Sequence, residues 1–81
     1  MKPSEARGKL LALIKRITDN KLRQKALKAA STYFRTSSIV EKRINRDRII
    51  TFYSEWLSKT NMNNKRGVIK ELKKLLIVAR K

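Results

Sequence analysis

The chain contains no cysteine and no histidine, and these two absences exclude much of the chemistry that small proteins perform. Without cysteine there is no disulfide framework, no Cys-ligated zinc, no thiol nucleophile and no iron–sulfur cluster. Without histidine the chain lacks the commonest general base and the commonest metal ligand. We therefore expect no metal site and no cofactor.

Acidic residues are also scarce. Six Asp or Glu stand against 22 Lys or Arg, which gives a net charge of +16 over 81 residues. An excess of this size indicates a polyanionic partner. The six carboxylates show no metal-site spacing, whereas a two-metal nuclease needs several that converge. The composition therefore predicts a binding protein rather than an enzyme, with no catalytic residues.

Long hydrophobic runs are missing. The longest, Leu10–Ile14 and Leu75–Ala79, have five residues each, and a membrane span needs about twenty. The apolar run after the basic N-terminus is too short for a secretory signal peptide. We expect an intracellular protein, cytoplasmic or nucleoid-associated, without a membrane span, and the lack of cysteine agrees with a reducing compartment.

Helix breakers are few, with two glycines and a single proline at position 3. The apolar residues follow helical spacing throughout. At 41% apolar residues the chain is too hydrophobic for a basic disordered tail, and its length fits one domain. We predict an all-α fold, a compact bundle of four to five short helices in a single domain over residues 1–81.

Capping residues mark the predicted helix boundaries. Ser4 is the expected N-cap of a first helix over residues 5–18, and Asp19-Asn20 ends this helix and caps a second one over 21–35. A last helix is predicted over residues 65–80.

The segment from residue 39 to 59 allows two interpretations. Ser38 followed by Glu41 fits a capping box at its start. Asn45 is a candidate cap for a restart, so we favour a short helix followed by a longer one, with a single helix as the alternative. The favoured interpretation places Arg46 and Arg48 in the first turn of a helix, where backbone N–H groups suit a phosphate.

The aromatic residues fall on the apolar faces of the predicted helices, so we expect them to pack at the centre of the bundle. A base-stacking surface is the alternative, and it would require exposed rings. The five residues are Tyr33, Phe34, Phe52, Tyr53 and Trp56.

The positive charge is unevenly distributed. Residues 21–37 carry +5 and residues 61–81 carry +6, whereas residues 1–20 carry +3 and residues 38–60 carry +2. Like charges four residues apart destabilise a helix, so two acid-poor helices indicate that an anionic partner binds there. The candidate nucleic-acid-binding residues are Lys21, Lys25, Lys28, Arg35, Arg43, Arg46, Arg48, Arg66, Lys70, Lys73 and Lys74.

The sequence carries no zinc-finger spacing, no zipper and no RNA-recognition motif. It therefore predicts phosphate contacts without base reading, and it leaves DNA, RNA and oligomeric state open. The predicted function is that of a small basic nucleic-acid-binding accessory or regulatory protein. The alternative is a helical protein-binding module (an inhibitor, immunity protein or ribonucleoprotein assembly subunit) that docks on an acidic protein surface, with Ile77 as an apolar anchor. Binding to an anionic membrane surface is a further, less favoured interpretation.

Overall fold

Four α-helices account for most of residues 1–80, the part of the chain that this computed structural model describes. This confirms the predicted all-α bundle. No strand occurs in this range, and none of its helices has the length and apolar character needed to cross a bilayer. The helices are α1 (Pro3–Lys15), α2 (Asn20–Arg35), α3 (Ile39–Ser58) and α4 (Lys65–Ala79).

The starts of α1 and α2 illustrate two ways to begin a helix. Helix α1 begins at Pro3, because proline lacks an N–H group that would otherwise stay unpaired in the first turn. The predicted Ser4 cap is therefore wrong, since Ser4 lies inside the helix and Lys2 is the N-cap. The predicted cap of α2 is confirmed, because Asp19 Oδ1 accepts a hydrogen bond of 3.1 Å from the Leu22 N–H.

Helix α3 is one continuous helix, so the favoured break near residue 45 is wrong. The Asn45 side chain is buried, and its Nδ2 donates to the Glu41 carbonyl at 2.8 Å instead of capping a new helix. Ser38 does cap α3, accepting from the Glu41 N–H at 3.3 Å. Arg46 and Arg48 consequently lie in the middle of a helix, and the predicted phosphate site at a helix start there does not exist.

Helices α2 and α3 run antiparallel, because Lys42 at the start of α3 contacts Tyr33 near the end of α2 whereas Phe52 lies beside Lys25. Helices α3 and α4 do the same. Helix α3 packs most extensively on α2, whereas its contact with α4 is the thinnest between neighbouring helices. Helix α1 packs on α4 and α2 and so lies across the bundle from α3. The buried core draws on all four helices and includes Leu10, Ile14, Ala26, Ala30, Ile49, Leu57, Leu72 and Leu76.

Three of the five aromatic residues lie in the core as predicted. Tyr33 donates its hydroxyl to the Leu76 carbonyl and ties α2 to α4, and Trp56 Nε1 donates to Thr18 Oγ1 at 3.0 Å. The prediction is wrong for Phe34 and Phe52, which are only half-buried at the edge of the core. A cation lies over each of these two rings, because both reach the charged surface: Arg7 at 5.7 Å from the Phe34 centroid and Lys25 at 5.9 Å from that of Phe52.

Candidate nucleic-acid interface

Few of the cations are neutralised by a carboxylate. Within residues 1–80 only two ion pairs form, Arg46 with Asp47 at 3.2 Å and Lys59 with Glu55 at 3.8 Å. Two further acids are engaged in local hydrogen bonds, Asp19 as a cap and Glu41 with the Thr36 hydroxyl. The positive potential of the surface is therefore largely uncompensated, and the location of the remaining cations decides where an anion would bind.

Three cations of α4 and its C-cap Arg80 lie along one face. Residues 66, 70, 73, 77 and 80 follow the spacing i, i+4, i+7, i+11, i+14, so they share one side of the helix. At 1.5 Å rise per residue this stripe is about 21 Å long. Ile77 interrupts it and is 53% exposed. The stripe consists of Arg66, Lys70, Lys73, Ile77 and Arg80.

This stripe forms one side of a groove between α3 and α4, which we call the α3–α4 groove. It consists of two adjoining depressions of about 510 and 400 Å³ that share Lys73. Most of the lining surface is apolar, whereas the side chains that project at its margins are basic. The lining residues are Ser54, Leu57, Ser58, Lys65, Arg66, Ile69, Lys70 and Lys73 in the first, and Arg46, Asp47, Ile50, Lys73 and Ile77 in the second.

A second, smaller groove lies on the other flank of α3, between α2 and α3. It has a volume of about 220 Å³ and brings Lys25 and Lys28 of α2 together with Arg48 of α3. We call it the α2–α3 groove. Lys25 is held near its floor by the Phe52 ring. Cations thus line both flanks of α3.

A third depression lies where the start of α3 meets the ends of α2 and α4, and we call it the end pocket. It has a volume of about 370 Å³ and shares Arg46 with the α3–α4 groove. Lys42 is fixed in it, because its Nζ donates to the Tyr33 carbonyl at 2.9 Å and lies 4.9 Å from the Tyr33 ring centroid. The lining residues are Tyr33, Ser37, Ile39, Lys42, Arg43, Arg46 and Arg80.

The two buried tyrosines have perturbed acidities. Burial raises the pKa of Tyr33, and the positive charges of Arg80 and Arg46 act in the opposite direction. Burial also raises the pKa of Tyr53, opposed by Arg16. The Tyr53 hydroxyl is buried and finds no hydrogen-bond partner among residues 1–80. Both phenols therefore stay neutral at physiological pH and add no negative charge to the basic surface.

The structure brings most of the predicted binding residues to the two flanks of α3. Arg46, Arg66, Lys70 and Lys73 line the α3–α4 groove, Lys25, Lys28 and Arg48 line the α2–α3 groove, and Arg43 lines the end pocket.

Two predicted residues lie apart from these clusters. Lys21 and Arg35 are exposed near opposite ends of α2, about 21 Å apart along the helix axis. A third, Lys74, lines a further depression with Met1 and Glu71, which adjoins the α3–α4 groove through Lys70.

Sequence reasoning missed three cations of the site, Lys42, Lys65 and Arg80. The periodicity of α4 contained a signal for Arg80, because this residue continues the stripe of residues 66, 70, 73 and 77. Lys42 had no such signal, since its position results from the meeting of three helices.

Comparison of the chain with protein-family models, with curated proteins and with solved structures finds no match.

Proposed function

We propose that this protein is a small accessory or regulatory factor that binds nucleic acid inside the cell, in the cytoplasm or on the nucleoid. The observation that carries the proposal is the row of cations on each flank of α3, with Asp47 as the only carboxylate that lines either groove within residues 1–80. Repulsion between neighbouring cations destabilises the free protein. A bound phosphate backbone relieves this repulsion, because its negative charges neutralise the cations.

The expected binding mode is contact with phosphates rather than with bases. The two grooves present eight cations, Lys25, Lys28, Arg46, Arg48, Lys65, Arg66, Lys70 and Lys73. Eight phosphate contacts correspond to a slope of log K against log salt of about −7 for duplex DNA and about −5.6 for a single strand. Affinity for duplex DNA then falls on the order of 10⁴-fold between 50 and 200 mM salt, with little dependence on base sequence.

Fluorescence anisotropy with labelled duplex DNA, single-stranded DNA and structured RNA tests the proposal. The first variant is Arg66→Gln/Lys70→Gln/Lys73→Gln, which removes three charges from the α3–α4 groove. Each phosphate contact contributes about tenfold at 0.1 M salt, so we expect a loss on the order of 10²–10³-fold and a shallower salt dependence.

The matched control removes the same charge from side chains that line neither groove nor the end pocket. Lys2→Gln/Lys9→Gln/Lys15→Gln changes three exposed cations on or next to α1, and we expect it to weaken binding less than tenfold. Equal losses in the two triple variants would show that net charge alone attracts the polymer. Absence of binding to all three polymers at physiological salt would contradict the proposed function.

A second candidate function is the binding of an acidic protein segment. It is favoured by one observation, the apolar floor of the α3–α4 groove, where Ile50, Ile69 and Ile77 lie between basic margins. An amphipathic helix with an apolar stripe and acidic flanks matches this surface, because it buries the floor and pairs with the margins.

Salt distinguishes the two candidates. A synthetic helical peptide with Leu at i, i+3, i+4 and i+7 and Glu on both flanks is a suitable probe, since burial of apolar surface resists salt whereas phosphate contacts do not. Peptide binding that survives 0.5 M salt and is lost in Ile77→Ser would support the second candidate. Polymer binding that is unchanged in Ile77→Ser would support the first.

A further inference from the structure

The end pocket differs from the two grooves because it is built from three helices and gathers four cations in one depression. Lys42, Arg43 and Arg46 of α3 and Arg80 at the end of α4 all line its volume of about 370 Å³. None of the lining residues within 1–80 is acidic. The volume lies within the range of small-molecule sites, and four cations around it create a strongly positive, partly enclosed potential.

Two of the four cations of the end pocket, Lys42 and Arg46, are held in place before any ligand arrives. Lys42 is fixed by the carbonyl and the ring of Tyr33, and Tyr33 is itself anchored to α4 through the Leu76 carbonyl. Arg46 is oriented by Asp47, which accepts from Nε at 3.3 Å and from Nη2 at 3.2 Å. Asp47 leaves three of the five Arg46 N–H donors free. A ligand here therefore orders fewer side chains than it would on an open surface.

The start of α3 contributes at the same place. Ile39, the first residue of α3, lines the pocket. Ser38 caps the Glu41 N–H, which leaves the N–H groups before Glu41 without a partner inside the helix. These groups add positive potential to that of the four side chains. The combination suits a compact, highly charged anion.

The position of the pocket indicates which phosphate it would take. It shares Arg46 with the α3–α4 groove, so a strand that lies along that groove would have its end at the pocket. An internal phosphodiester carries one charge and continues in both directions, whereas a terminal phosphomonoester carries close to two at pH 7 and has only one neighbour. A depression with four cations at the end of a groove favours the terminal group, which carries the higher charge.

We infer that the end pocket binds the terminal phosphomonoester of a nucleic-acid strand whose backbone lies in the α3–α4 groove. The identification of the ligand as a nucleic-acid strand rests on the proposed function, whereas the preference of the pocket for a compact anion does not. Arg43 and Arg80 provide the discriminating charge, because neither is paired with a carboxylate within residues 1–80.

The test compares one oligonucleotide of the polymer class that the protein binds in three forms: 5′-phosphorylated, 3′-phosphorylated, and with hydroxyls at both ends. Anisotropy of an internal label reports the affinity. We expect one phosphorylated form to bind at least tenfold more tightly than the hydroxyl form at pH 7.5. The preference is expected to shrink at pH 5.5, where the phosphomonoester has one charge.

Matched variants locate the effect. Arg43→Gln/Arg80→Gln should abolish the preference for the phosphorylated end. Arg48→Gln, in the α2–α3 groove, should weaken all three forms alike and keep their ratio. Equal affinity of the wild-type protein for all three forms would overturn the inference and leave the proposed function intact.

Titration with inorganic pyrophosphate, followed by amide chemical shifts, separates the pocket from the polymer. Saturable shifts confined to the start of α3 and the end of α4 would support the site even if no oligonucleotide bound, and the proposed function would then be the part that failed. Shifts that spread over every basic face without saturating would overturn the site itself.

Discussion

The two flanks of α3 show how side-chain size determines where two helices meet. On one flank α2 presents a stripe of small residues, including Ala26, Ala29 and Ala30, and the helices pack closely along their length. On the other flank α4 presents Ile69 and a row of long basic side chains, and a wide groove remains. The α2 flank of α3 thus contributes closely packed core residues, whereas the α4 flank leaves apolar surface accessible between cations.

The starts of the helices reinforce this contrast. Asp19 and Ser38 cap α2 and α3 with side-chain hydrogen bonds. Helix α4 follows Asn64, which adopts the left-handed conformation with φ of 61° and makes no side-chain cap. The α4 flank is thus formed by the helix with the weaker local signal, and its position depends more on tertiary packing than that of α2.

The largest expected effect concerns binding, where we expect the two flanks to behave alike. Lys25→Gln/Lys28→Gln/Arg48→Gln should reduce the salt slope by about 2.7, as should the triple variant in the α3–α4 groove, because each phosphate contact contributes about 0.9. The sextuple variant should show the sum of both reductions. If the α2–α3 triple binds like the α1 control, the interface is confined to the α3–α4 groove.

The next effect concerns packing, where the flanks should differ. Ala26→Leu inserts a large side chain into the fully buried part of the small-residue stripe of α2 and should lower the free energy of unfolding by about 1–3 kcal/mol. Ser54→Leu adds a similar volume to the α3–α4 groove, where space is available, and should change it by less than about 0.5 kcal/mol. Urea denaturation measures both. Equal destabilisation would mean that α4 packs on α3 as closely as α2 does.

The two buried tyrosines give a smaller contrast. Tyr33→Phe removes the hydrogen bond that links α2 to α4, and we expect a loss of about 1 kcal/mol. Tyr53→Phe removes a buried hydroxyl that has no partner within residues 1–80, and we expect a gain of up to about 1 kcal/mol. Thermal and urea unfolding of the two variants would settle the sign; a loss in Tyr53→Phe would point to a water-mediated partner.

The same pair predicts a response to alkaline pH. Burial raises the pKa of both tyrosines in the folded state, so the unfolded chain ionises first. Their contribution to stability is complete below about pH 10 and is lost as the pH rises above that value. Lysine titration affects the wild type and the variant alike. A smaller loss of stability at alkaline pH in Tyr53→Phe than in the wild type would therefore be due to the Tyr53 phenol.

The smallest expected effect concerns the two glycines, Gly67 at the start of α4 and Gly8 in α1, which serves as the reference. A Cβ at Gly8 meets no atom within 4 Å, so Gly8→Ala should stabilise the protein by about 0.5–1 kcal/mol. A Cβ at Gly67 would lie 2.5 Å from Asn64 Nδ2, so Gly67→Ala should gain less. Adding Asn64→Gly removes that clash and suits the positive φ, so the double variant should recover the gain. No difference between the two alanine variants would show that the Asn64 side chain moves freely.

The helices themselves were largely predictable, because apolar periodicity and caps such as Asp19 are local signals. The interpretation of Asn45 failed because an asparagine amide can cap a new helix or bond to the preceding turn. Only its burial between helices selects the second choice. Lys74 was placed with Lys70 and Lys73 because the three share a broad basic arc, but this arc extends beyond the α3–α4 groove, so Lys74 lines the depression that adjoins it. The end pocket was beyond sequence reasoning, since three helix ends create it.

The short connection between α2 and α3 has a consequence for the order of folding. Because the most extensive helix contact joins sequence neighbours across residues 36–38, this hairpin closes with a small loss of chain entropy. The contact of α1 with α4 instead joins distant parts of the chain. Native-state hydrogen exchange should therefore show the slowest amides in α2 and α3 and earlier opening in α1 and α4. The helix that carries the longest row of cations would then be one of the two that detach most readily, and a bound polyanion would hold it in place.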